Sequence, residues 1–158
     1  MNRSNVFYNI SNQIPDINGS TAGVTLQNRI RVSSAEILAL VATAKELVPA
    51  PGADKVLEFV SAVIKHNAGT AYAESNDNLV IQYSGGQDVC TAIDATNFLD
   101  QTDDEIRYAA HLESVLATTV DLEALKNTSL VLINDSGEYT TGTGTLDVRI
   151  NYRVHDFS

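Results

Sequence analysis

Polar and apolar positions alternate strictly through VTLQNRIRV: Val24, Leu26, Ile30 and Val32 share one parity, while Thr25, Gln27, Arg29 and Arg31 share the other. A period of two predicts a strand with one buried face, and Asn28 is the one polar residue on the apolar side. The period then changes. Ser33 and Glu36 stand at capping-box spacing, in which each side chain satisfies a free N–H at a helix start. Ile37, Leu40, Val41, Ala44, Leu47 and Val48 follow as one helical stripe. A helix through SSAEILALVATAKELV is expected, closed by Pro49 and Pro51, because proline removes an N–H and holds the preceding residue extended. Gly52 supplies freedom for the turn.

DKVLEFVSAVIKHN places apolar residues at both parities, which predicts a long strand covered on both faces, with a buried helix as the competing reading. Its β-branched content and the stiff PAPG before it favour the strand. NLVIQY predicts another strand, ended by Ser84-Gly85-Gly86, and QDVCTAIDA a further one. In NFLDQTDDEIRYAAHLESVL, Thr102 and Glu105 repeat the capping-box spacing, and Ile106, Ala109, Ala110 and Leu116 suggest a short helix. TTVDLEALKN is ambiguous. SLVLIN and TLDVRINYRV are strands flanking the turn chemistry of NDSGEYTTGTG, and Leu146, Val148, Ile150, Tyr152 and Val154 share one face of the last strand.

There is no βαβ rhythm and no internal repeat. The expected fold is mainly β: an antiparallel β-sandwich or jelly-roll-like domain over residues 24–158 with one or two short helices. Residues 1–23 read as an extended N-terminal arm, rich in Asn, Ser and Gly and punctuated by Val6, Phe7, Tyr8, Ile10, Ile14 and Ile17. Six large apolar residues in such a segment favour association. They suit either a first strand tucked into the domain or an arm ordered against a partner or neighbouring subunit.

Composition narrows the function. The 158 residues carry 20 acids against 10 bases, a net charge of −10. A field of that sign repels phosphate backbones and anionic membranes, so neither direct nucleic-acid binding nor membrane binding is expected. No apolar run approaches a membrane span, and MNRSNVFYNIS lacks the apolar core of a secretory signal. Cys90 is the one cysteine, and DVCTAI surrounds it with the apolar neighbours of a buried structural thiol.

Candidate chemistry is sparse. His66, His111 and His155 lie far apart in sequence, with no HExxH, paired CxxC, GxSxG or phosphate loop. Asp100, Asp103, Asp104 and Glu105, and separately Asn134, Asp135 and Glu138, lack the spacing of a calcium loop, and the first group suits a helix N-terminus. Tyr72, Tyr83, Tyr108, Tyr139 and Tyr152 could include a sugar-stacking platform, although the absence of tryptophan favours core packing. The expectation is a non-enzymatic protein with no catalytic, cofactor or metal residues.

Two segments carry a resemblance. LVPAPGADK (Leu47 to Lys55), running into an apolar strand, and GTGTLDVRINYRV (Gly142 to Val154) together resemble a group of small virion structural proteins of tailed bacteriophages and prophages, of the capsid decoration (cement) or head-fibre type. The similarity spans roughly residues 33–154, and its motifs are structural rather than catalytic. Asp54 stands where the group's pattern has a glycine. The resemblance implies a homotrimer on the virion surface, made in the bacterial host cytoplasm, whose partners are itself and the major capsid protein or another virion protein. A glycan- or receptor-binding module of a phage tail or fibre is the alternative. Pro49, Pro51 and Gly52 are then a structural joint, stopping a helix and launching a central strand, while Val6, Phe7, Tyr8, Ile10, Ile14 and Ile17 are candidate partner or oligomer contacts.

Overall fold

The alternation at the start of the domain becomes strand β1 (Leu26–Val32) in the computed structural model, which describes residues 24–73, 78–112 and 120–158. β1 pairs antiparallel with β8 (Thr145–Asp156), and their phases coincide: Ile30 opposes Val148 and Val32 opposes Leu146 toward the core. β8 also pairs with β3 (Lys55–Asn67), and β3 with β6 (Glu105–Ala110), giving the sheet order β1-β8-β3-β6. The second sheet runs β2-β7-β4-β5, from β2 (Lys45–Val48), β7 (Leu130–Asn134), β4 (Asn78–Tyr83) and β5 (Ile93–Asp94).

The pairing is nested: β1 with β8, β2 with β7, β3 with β6, β4 with β5. A long antiparallel ribbon produces that nesting when it wraps into two facing sheets, so the fold is the antiparallel β-sandwich that the sequence pattern predicts. The core lies between the sheets, with Leu57, Phe59 and Ile64 of β3 and Val148 and Ile150 of β8 buried against Leu79 and Ile81 of β4 and Leu130 and Leu132 of β7.

β3 explains its own mixed parity. The register against β8 shifts between Phe59 and Ser61. Before this bulge Leu57 and Phe59 are buried; after it Ala62, Ile64 and His66 are. One inserted residue switches the inward face from odd to even positions, so a strand with one core face shows apolar residues at both parities. Val56 is the exception, buried on the opposite parity before the bulge.

Three expectations need correction. The helix expected from Ser33 to Val48 is only α1 (Ser34–Ala39), which does carry the Ser33–Glu36 capping box. Its stripe continues as β2, where Leu47 and Val48 are buried by pairing with β7 rather than by helical periodicity. The register of β2 breaks between Glu46 and Val48, and the Asn28 side chain donates to the Leu47 carbonyl at 2.8 Å. The polar exception on the β1 face therefore stitches the two sheets together. Pro49 and Pro51 accordingly end a strand, not a helix.

Next, the helix expected around Ile106 is strand β6. Residues 61–66 of β3 offer a ladder of backbone groups, and satisfying them outweighs the local helical signal. Thr102 and Glu105 form no helix start: the Asp104 carboxylate accepts from Ala68 N–H at 2.9 Å and pairs with Lys65 at 2.6 Å. Leu116 lies outside the described residues. Finally, QDVCTAIDA is mostly irregular, with single bridges at Asp88 and Cys90 and only Ile93–Asp94 as strand. The ambiguous TTVDLEALKN contains a short helix, α2 (Leu122–Leu125), capped by Asp121, which accepts from Glu123 N–H at 3.1 Å.

The capping box predicts an acid response. Hydrogen bonds from Lys45 and Ser33 hold the Glu36 carboxyl down at about 2, against 4.5 ordinarily. As pH falls below 4.5 the unfolded chain binds the proton first, so the stability Glu36 contributes is present above 4.5 and lost on approach to pH 2. The carboxylate is partly solvated, so the effect is small. Urea midpoints measured across this window should fall less steeply for Glu36→Gln than for the wild type; parallel curves would contradict the assignment.

Candidate functional site

The joint LVPAPGADK connects one sheet to the other, from β2 to β3. Gly52 turns the chain at φ 103, and Asp54 follows at φ 59, the left-handed region that Asp tolerates better than most residues. A glycine would fit there without strain. The joint is clasped from the far side by the residues after α2. Gly52 N–H donates to Asn127 Oδ1 at 2.9 Å, Asn127 N–H donates to the Lys55 carbonyl at 2.8 Å, and Lys126 pairs with Asp54 at 3.3 Å. With the geometry held at both ends, the prolines act by limiting the unfolded chain. Pro49→Ala with Pro51→Ala should cost about 1–2 kcal/mol. An unchanged urea midpoint would sink that account.

The second segment, GTGTLDVRINYRV, is where backbone meets rings. Tyr72 is buried, donates its hydroxyl to the Gly144 carbonyl at 2.6 Å, and lies edge-on to Tyr139 with centroids 5.8 Å apart. A Cβ on Gly142 would stand 2.4 Å from the Tyr72 ring, and one on Gly144 would stand 2.2 Å from His66 Nε2. His66 is itself buried, with its ring edge-on to Phe98 at 5.8 Å. Burial pushes its pKa down, outweighing the nearby Phe98 backbone and the carboxylates of Asp104, Glu105 and Asp100, so the ring packs as a neutral group. These glycines admit the rings that plug one end of the sandwich.

A cleft of about 290 Å³ opens where β3 begins and β8 ends, lined by Val56, Phe59, Tyr83, Val89, His111, His155 and Phe157 among others. Glu58 supplies its charge. Its carboxylate accepts from His155 Nε2 at 2.6 Å and from Arg153 at 3.1 Å, and Arg153 also donates to Thr25 Oγ1 at 3.1 Å. Burial alone would raise the Glu58 pKa; the His155 hydrogen bond and the Arg153 charge outweigh it and hold the carboxyl below its usual range. A carboxylate so engaged is a poor proton donor at neutral pH, and the arrangement works as an ion-pair clasp across β3 and β8.

The other sequence candidates disperse. The backbone brings Cys90 and His111 together as an isolated bridge. The Cys90 thiol instead contacts the Ile81 carbonyl at 3.9 Å, and burial pushes its pKa up, which opposes the thiolate a nucleophile needs. Tyr72, Tyr83 and Tyr139 are buried and Tyr152 packs against the core, leaving Tyr108 exposed on β6. Asn134 closes its own turn, donating to the Gly137 carbonyl at 2.6 Å. Among the described residues no three His, Cys, Asp or Glu side chains gather as a metal site, and no helix is long and apolar enough to cross a membrane. Val6, Phe7, Tyr8, Ile10, Ile14 and Ile17 lie outside the described residues.

One surface escapes a strand-by-strand reading. Arg29 and Arg149 are register partners on adjacent strands, and Arg31 opposes Asp147 one pair further along the same outward face. Each arginine was visible as the polar half of an alternating strand. That they are neighbours depends on pairing the first strand with the last, which no local signal encodes.

No protein-family model matches the chain, and no curated protein matches it. Among solved structures, the chain is similar to one from the cyanophage Pam1 capsid asymmetric unit, at 12% identity and a TM-score of 0.49, covering 84% of this chain and 86% of that one.

Proposed function

We propose that this chain is a non-enzymatic structural protein of a phage particle, a decoration (cement) protein that binds the outer capsid surface as a homotrimer. The observation that supports the reading is where the two segments that carry the resemblance fall. LVPAPGADK and the glycines of GTGTL form a joint and a ring plug, both of which rigidify the sandwich. In a protein whose work is to hold a shape, such positions are the ones a family pattern would retain. The exposed edge strand adds support. β6 ends its sheet with Ile106 and Tyr108 in solvent, and an apolar edge of this kind suits cover by a neighbouring subunit.

Density-gradient banding of particles from the producing host, followed by immunogold labelling against this chain, tests the assignment. Gold distributed over particle heads is the expected result. Protein that stays wholly in the soluble fraction would overturn it. Deleting residues 1–23 should release the protein from particles while the domain stays folded, and full retention would exclude the arm as the anchor.

A further inference from the structure

Like charges directly opposite each other in a sheet destabilise it, and Arg29 faces Arg149 across β1 and β8 on the solvent side. Both are exposed. Arg29 reaches only Gln27, at 3.3 Å, and Arg31 reaches Thr145 at 3.3 Å. Among the described residues no carboxylate forms an ion pair with Arg29, Arg31 or Arg149, although the chain has twice as many acids as bases. Arg153, further along β8, is the one arginine of this face that Glu58 neutralises. Asp147 stands opposite Arg31 but is engaged by Asn67 at 2.8 Å, so the Arg29–Arg149 pair is left facing like charge across the ladder, which costs the isolated subunit stability.

The complementary charge lies on the other sheet. Asp88 bridges to Gln82 of β4, Asp94 of β5 pairs with Asn78 of β4, and Asp135 N–H donates to the Asn78 carbonyl at 3.0 Å. Burial and the neighbouring Asp135 push the Asp88 carboxyl up, so this edge too is charged at a cost. In the facing orders β1-β8-β3-β6 and β2-β7-β4-β5, the arginine strip and the acidic edge occupy opposite sheets and opposite sides. No subunit can bring its own two surfaces together, but two copies can.

We propose that the Arg29–Arg149 pair, flanked by Arg31, is a docking site for a second copy of this chain, which presents the carboxylates of Asp88, Asp94 and Asp135. Arginine suits the task, since its planar fork binds carboxylates in a bidentate way. The same strip would also attract phosphate; the pairing of the two charge-reversed proteins described below occurs only if the ligand is a carboxylate of this chain. A contact between unlike surfaces is heterologous and generates a closed ring when its rotation allows. The inference rests on the homotrimer in the proposed function and names the surfaces that would build it.

Sedimentation velocity of the full chain tests it, in about 0.1 M and about 1 M salt, where the screening length falls from roughly 10 to 3 Å. The wild type should sediment as an oligomer at the lower salt and shift toward monomer at the higher. Arg29→Glu with Arg149→Glu should weaken association by about a hundredfold or more, and Asp88→Arg with Asp135→Arg should do the same. An equimolar mixture of the two charge-reversed proteins should associate again, because each then offers what the other lacks. Arg149→Gln alone should weaken association without lowering the melting temperature of the dissociated subunit, which separates docking from folding. An oligomer indifferent to the reversals would overturn this interface while leaving the trimer standing. A wild type that is monomeric at both salts, yet present on particles, would overturn the trimer and the interface but not the decoration role.

Discussion

Gly142→Ala is expected to be among the most damaging single-methyl additions to this chain, costing about 2–6 kcal/mol. Two independent effects add. The backbone at Gly142 has φ 131, which L-residues rarely adopt, and strain of that kind costs about 1–3 kcal/mol. The new Cβ would also stand 2.4–2.6 Å from three atoms of the Tyr72 ring. That ring cannot step aside, because it is 2% exposed, bound through its hydroxyl to Gly144, and pressed against Tyr139. Overpacking of this sort adds about 1–3 kcal/mol. Urea denaturation of the wild type, Gly142→Ala, Tyr72→Ala and the double variant separates the two parts. The double variant should be more stable than the sum of the singles implies, since removing the ring removes the clash, and the residue of the Gly142 cost is then its backbone share. A loss below about 1 kcal/mol in Gly142→Ala would mean that the ring does not lie against this turn.

Phe98→Ala is the second large effect, at about 3–5 kcal/mol for emptying a fully buried phenyl site. Phe98 is 0% exposed and fills the space under His66, with ring centroids 5.8 Å apart. The Arg107 guanidinium lies over the ring, 5.0 Å from its centroid, and Arg107 also donates to the Asn97 carbonyl at 2.6 Å. The loss should therefore spread to β6, the strand that Arg107 belongs to. Urea midpoints measure the global loss, and amide exchange should accelerate first at Glu105–Ala110. Phe98→Leu, which refills most of the volume, should recover at least half of the difference. Equal behaviour of the two variants would show that the site is not tightly packed.

Both variants act on contacts between distant segments, and that is where the sequence reading was weakest. β1, β4, β7 and β8 are legible because each repeats polar and apolar residues at a strand's own period, or runs as a short apolar block between turn residues; β3, apolar at both parities, is legible from its β-branched content and the prolines before it. The capping box of α1 was legible because both partners sit within one turn. The extension of α1 to Val48 failed because Leu47 and Val48 satisfy a helical stripe and an inward-facing strand equally well. Only the partner strand β7 decides between them. β6 failed for the same reason, since its ladder comes from β3, some forty residues earlier in the chain.

The two family-like segments could be quoted from the sequence, but their purpose could not. Nothing local says that Gly142 and Gly144 are glycine because Tyr72 and His66 press on them, or that Asp54 sits in a left-handed turn clasped by Asn127. The arginine strip is the clearest case. The alternation in VTLQNRIRV and TLDVRINYRV placed every arginine on an outward face, and the charge balance marked cations as scarce. The sequence by itself thus determined periodicity, caps, breakers and charge, which are properties of residues a few positions apart. Tertiary structure alone decided the bulge that switches β3, the replacement of two helical segments by strands, and the pairing of Arg29 with Arg149. Each depends on backbone groups finding partners far away in the chain, and the free energy of those hydrogen bonds and buried faces outweighs a local propensity of a few tenths of a kcal/mol per residue, roughly.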